Sequence, residues 1–111
     1  KYELRKFVRS WDQGNAEIKR GIERGDMELL LWWLTTGPSP DLIINDDLGQ
    51  TALHLAVAIG DWRMATLLLN WSASLTLLDG RGRNILHYIA KAPIESFSLS
   101  FAISILRRAP T

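Results

Sequence analysis

Leu53, Ala56 and Val57, and then Ala65, Leu68 and Leu69, recur at three- and four-residue intervals on either side of Gly60-Asp61. That spacing predicts two short helices, each with one apolar face. Thr51 stands where its hydroxyl can cap a first helix, Ala52–Ile59. Gly60 ends that helix, and Asp61 caps the second, Trp62–Asn70. Ahead of the pair, Asp46-x-x-Gly49 reads as a turn, with Asp at its start and a glycine free to take positive φ. Leu4, Phe7, Val8 and Trp11 predict another one-sided helix over residues 1–11, and Asp12-Gln13-Gly14-Asn15 is expected to break it.

The pattern repeats. Residues 46–54 (DDLGQTALH) align with 79–87 (DGRGRNILH) at an offset of 33, with Asp, Gly, Leu and His coinciding. Upstream, Gly25-Asp26 takes the place of Gly60-Asp61 at an offset of 35, and Gly37-Pro38-Ser39-Pro40 supplies a rigid, longer connection. Downstream, Pro93 replaces the turn between the helices. A lengthened loop is expected around residues 92–98, followed by a helix through Leu106. One helix pair cannot cover its own apolar faces, so such units stack. The expected organisation is an N-terminal helix at 1–14, a capping repeat at 15–45, a central repeat at 46–78 and a C-terminal repeat at 79–111.

A period of 33 with a Thr-x-Leu-His core resembles the ankyrin repeat, most closely over residues 46–91. The resemblance implies an all-α solenoid of helix-turn-helix units joined by β-hairpin-like loops. It implies a protein-interaction module or scaffold in signalling, with no enzyme activity and no cofactor or metal of its own. The stretch KYELRKFVRSW at residues 1–11 resembles the closing helix of the ArfGAP zinc-finger domain, which several subfamilies place directly before ankyrin repeats. In that setting the repeats would support GTPase activation on Arf-type small GTPases by the preceding domain of the same chain. The stretch SLTLLDGRGRNILH is similar to repeats of inhibitor-of-NF-kappaB scaffolds, which is the alternative, beside a purely structural spacer.

Charge and composition narrow the chemistry. The net charge of +1 sets up no global field toward nucleic acid or membranes. The charge is polarised, however: residues 29–79 hold five acids and one base, residues 80–111 five bases and one acid. Such an asymmetry orients a charged partner. There are no cysteines, which excludes disulfides and thiolate zinc sites within these residues and is compatible with the cytosol. The longest apolar run, residues 29–34, is too short to cross a bilayer. A cytoplasmic protein is expected, brought to membranes only through its parent. The helical pattern is already under way at Lys1, as expected of a segment of a longer chain.

Ankyrin stacks bind partners through hairpin tips and the exposed side of their first helices. Carried onto this sequence, that concave face comprises Asn45, Asp47, Leu48, Gln50, Ala58, Ile59, Leu78, Arg81, Arg83 and Lys91, with Gly80 and Ala92 beside them. Apolar Leu48, Ile59 and Leu78 ringed by charge have the anatomy of a small interface for a protein or peptide. Asp46, Gly49, Thr51, His54, Gly60, Asp79, Gly82 and His87 are expected to serve the repeat itself. His54 and His87 occupy equivalent positions, where the resemblance implies loop-to-loop hydrogen bonds rather than a metal site. Gly80-Arg81-Gly82-Arg83 lacks the full phosphate-loop pattern and reads as a hairpin tip. Trp32, Trp33, Trp62 and Trp71 are expected half-buried between stacked helices, with docking on another domain as the alternative. No paired carboxylates or Ser-His-Asp set suggest acid–base or nucleophilic chemistry.

Overall fold

A computed structural model describes residues 11–37, 39–92 and 99–108. The helix expected over residues 1–10, Pro38 of the rigid connection, and positions 93–98 of the lengthened loop lie outside the described residues. The described elements are α1 (Trp11–Arg24), α2 (Met27–Thr36), β1 (Ile43–Asn45), β2 (Gln50–Thr51), α3 (Ala52–Ile59), α4 (Trp62–Asn70), α5 (Ile85–Lys91) and α6 (Leu99–Arg108). Helix pairs α1–α2 and α3–α4 stack on one another, α5 packs against α3, and α6 packs against α4. The predicted all-α stack of helix pairs is the fold, with a single two-stranded antiparallel sheet, β1–β2, among the described residues.

One local expectation fails. Residues 12–15 do not break the helix; α1 runs through them. Gly, Asn and Asp in a helix cost only about 0.5–1 kcal/mol each relative to Ala. Ile18 and Ile22 on the same helix are buried against the core, and each such side chain contributes about 1.5–3 kcal/mol. Tertiary anchoring therefore outweighs local propensity, and α1 crosses the boundary expected between residues 14 and 15.

The capping reading holds in atomic detail. The Thr51 side chain accepts from the His54 amide, and Gly60 closes α3 in the left-handed region at φ 84°, its N–H reaching the Ala56 and Val57 carbonyls. The Asp61 carboxylate accepts from Met64 N at 3.2 Å, and Asp26 does the same for Leu29 N at 3.0 Å one repeat earlier. Leu53, Ala56, Val57, Ala65, Leu68 and Leu69, the residues picked out by spacing, are all buried in one core. Trp33 is buried at 1% exposure and its neighbour Trp32 only partly, because adjacent helical positions face different ways. Trp62 is also buried and meets Phe101 of α6 with ring centroids 4.9 Å apart. Its ring holds two repeats together, so it is not a docking surface. Trp71, at 40% exposure, stays at the surface.

Candidate functional site

Two chain reversals meet at one edge of the stack. The first is the turn at residues 46–49, closed by pairing of β1 with β2, with Gly49 at φ 64°. The second spans residues 79–83. There Asp79 accepts from Arg81 N and Arg83 N through one carboxylate oxygen, at 2.9 Å each. Its own backbone bonds Arg83 O and Gly82 N, and Gly82 takes φ 76°. Gly80 N donates to Leu48 O at 2.8 Å, tying tip to tip. A methyl group at Gly49 would sit 2.6 Å from Gly80 N. Glycine at position 49 thus answers both a left-handed backbone and a close approach of neighbouring repeats.

Behind the tips runs a line of side-chain hydrogen bonds. Asn45 Nδ2 donates to Gln50 Oε1 at 2.7 Å, Gln50 Nε2 donates to Tyr88 Oη at 2.9 Å, and Tyr88 donates to Asp79 Oδ2 at 2.5 Å. Burial alone would raise the Asp79 carboxyl, but donors from Tyr88 and from the Arg83 and Arg81 amides outweigh it and hold the pKa at about 2. Burial, then the bond to Asp79, pushes the Tyr88 hydroxyl up. His54 lies beside Tyr88 with ring centroids 5.0 Å apart. Thr51 N donates to His54 Nδ1 at 3.1 Å, which leaves Nε2–H to donate to Leu77 O at 3.0 Å. The neutral ring thus satisfies both partners. Burial lowers its pKa, against the opposing pull of the Leu77 carbonyl and Asp79. His54 carries the loop-to-loop bond that the resemblance implies. Among the described residues His87 repeats only the capping half, its Nδ1 accepting from Asn84 N at 3.1 Å.

Beside this line opens a groove of about 260 Å³. Leu48, Ala58 and Ala92 give it apolar surface above the buried Val57, and Arg81, Arg83 and Lys91 give it a cationic rim beside His87. Gln50, Asp79 and Tyr88 complete the lining. Of the expected contact residues, Leu48, Gln50, Ala58, Arg81, Arg83 and Lys91 are brought together here. Asp47, Ile59 and Leu78 are exposed but do not line the groove, and Ile59 borders a shallower depression with Gly60-Asp61. Asn45 and Gln50 are buried rather than offered to solvent, because each spends its amide on the hydrogen-bonded line. Asp46 is exposed and, among the described residues, has no counterpart to the carboxylate bonds of Asp79.

Tyr88 escaped the sequence reading, although it was visible as a departure. It stands 33 residues after Leu55, where the repeat has an apolar residue, and it adds a hydroxyl. Asp41 also reaches across to a neighbouring repeat. Its carboxylate accepts from Ser74 N at 2.8 Å, again across 33 residues. The groove presents apolar surface beside cationic side chains. Its carboxylate, its tyrosine hydroxyl and the neighbouring imidazole are all engaged in holding repeats together. No group of three or more His, Asp or Glu among the described residues is placed to hold a metal. No helix among them is long and apolar enough to cross a membrane.

Comparison with known proteins agrees with this geometry. The family model described as ankyrin repeats (many copies) matches residues 18–69. A 60-residue stretch is 45% identical to part of the nuclear factor NF-kappa-B p105 subunit of Rattus norvegicus, covering 52% of this chain and 6% of that protein. This chain therefore corresponds to a small part of that relative's length. No solved structure matches at a significant level. Helix pairs capped alike at Asp26 and Asp61, tips joined across about one period, and the family match together mark residues 18–69 as similar to ankyrin repeats.

Proposed function

We propose that the chain binds a protein or peptide through the groove between its two described tips, and that this interaction is its function. The observation that carries the reading is the groove itself. It spans two repeats, has apolar surface, and gathers Leu48, Ala58, Arg81, Arg83 and Lys91 around an accessible opening. Apolar surface ringed by charge is what an interface core and rim require. The repeats contributing to it are those expected at 46–78 and 79–111, with the capping repeat at 15–45 supporting them through α1 and α2. As to the parent, the likeness to the NF-kappa-B p105 subunit favours a scaffold of the NF-kappa-B type over a neighbour of an ArfGAP domain. The ArfGAP context rests on residues 1–11 alone, and the groove reading does not depend on it.

The test is to select peptides from a random display library against the folded chain and map each binder by amide chemical-shift changes. Shifts concentrated at Ala58, Arg81, Arg83 and Lys91 are expected. Binders that map instead around Trp71 or along α6 overturn the reading.

A further inference from the structure

We propose that the groove selects an acidic peptide, one with carboxylates flanking an apolar side chain. The inference rests on the groove being the binding surface and adds the chemistry of its occupant. Three observations carry it.

The first is the state of the rim cations. Arg81, Arg83 and Lys91 line the groove, and none forms an ion pair among the described residues. Salt bridges do form elsewhere, between Lys19 and Glu23 and between Arg20 and Glu17 along α1. The second is the state of the only acid in the lining. Asp79 receives the Tyr88 hydroxyl on one oxygen and the Arg81 and Arg83 amides on the other. Its acceptor capacity is largely used within the fold, so it offers little to a basic partner. The same bonds fix the backbone at 81 and 83, so both guanidinium groups project from a pinned turn. Less conformational freedom is then lost when they pair with a ligand. The third is the surface between the cations. Leu48, Ala58 and Ala92 supply apolar contact, which gives a purely anionic ligand no return for desolvation but suits an apolar side chain held between two carboxylates. Arginine presents a planar fork that takes a carboxylate through two parallel hydrogen bonds. Asp46 and Asp47 are exposed on the neighbouring tip outside the lining. They repel acid at that end and confine the ligand's carboxylates to the side of Arg81, Arg83 and Lys91.

The peptides that map to the groove in the selection above supply the probe. They are expected to be enriched in Asp and Glu on either side of an apolar residue. A synthetic copy with every Asp and Glu replaced by Asn and Gln is expected to bind at least about tenfold more weakly. Raising the ionic strength should narrow that gap. The Arg81→Ala/Arg83→Ala variant should lose the same factor for the acidic peptide and change little for its amide copy. Its thermal melt verifies that the fold is intact. Groove-mapped peptides that are neutral or basic overturn the inference and leave the groove reading standing. An acidic peptide indifferent to the double substitution also overturns it. A duplex oligonucleotide that binds as tightly as the acidic peptide, with the same dependence on Arg81 and Arg83, overturns it in favour of nucleic acid. Binders that map away from the groove remove both readings.

Discussion

Replacing Tyr88 by Phe deletes one oxygen and leaves the ring beside His54. That oxygen accepts from Gln50 and donates to Asp79, so two bonds go at once. A hydrogen bond to a charged group is worth about 1.5–3 kcal/mol and a neutral one about 0.5–1.5 kcal/mol. The two share an atom and do not add fully, and Tyr88 is half-buried, so water recovers part of the loss. The expected destabilisation is about 2 kcal/mol. Unfolding 111 residues carries a transition entropy of about 0.23 kcal/mol/K, so Tm should fall by about 9 °C at neutral pH. Acid supplies the internal control. The folded Asp79 carboxyl sits at about 2 against an ordinary 3.8. Its stabilisation is complete above the ordinary value and is lost as pH falls through about 2. The variant lacks the tyrosine donor, so its carboxyl protonates earlier, and the Tm gap should shrink between neutral pH and pH near 2. Circular dichroism melts of both proteins across that range measure it, and groups that titrate alike in both cancel in the difference. A drop of less than about 2 °C, or a gap that does not change with pH, refutes the account of the hydrogen-bonded line.

Further outcomes follow from the same geometry. Gly49→Ala should destabilise by more than about 2 kcal/mol, because it adds a contact with Gly80 N to the roughly 1–2 kcal/mol cost of a left-handed backbone. Gly82→Ala has open space around the new methyl group and should bear the backbone cost alone; urea midpoints that rank the two the other way contradict the tip-to-tip contact. Burial lowers the His54 pKa, so its neutral ring stabilises the fold above about pH 6.5, and that contribution is lost as pH falls through the lowered value. His54→Gln should be less stable at neutral pH and lose less on acidification than the parent; an unaltered pH slope in urea titrations would exclude His54 as its source. Asp61→Ala removes the cap on Met64 N and should cost about 1 kcal/mol, read as a shift in urea midpoint with an unchanged slope.

The local grammar of the fold was plain in the sequence. Thr51, Gly60 and Asp61 act within a few residues of themselves, and backbone geometry determines their roles, so residue type and position suffice. The core faces were legible for the same reason: Leu53, Ala56 and Val57 must point one way once the helix forms. The groove was half legible. Its charged rim at Arg81, Arg83 and Lys91 followed from the tips and the repeat. What the sequence concealed were bonds between repeats, such as Gln50 to Tyr88 and Asp41 to Ser74. These depend on how closely two units approach, a distance no single repeat encodes. Asn45 and Gln50 were misplaced on the surface because polar residues near a turn ordinarily face water. Here they face each other. Residues 12–15 were misread because their weak helix propensity was weighed without the buried Ile18 and Ile22 that hold the helix beyond them.

The line from Asn45 to Asp79 has a thermodynamic consequence. The groove does not exist within one repeat. Ala58 comes from one unit and Lys91 from the next, and the line ties the two units together. A ligand in the groove therefore recognises only the stacked state. Its binding free energy adds directly to the coupling between neighbouring units, by RT ln(1 + [L]/Kd). The occupied chain should fray less from its C-terminal side and unfold more nearly as one unit than the empty one.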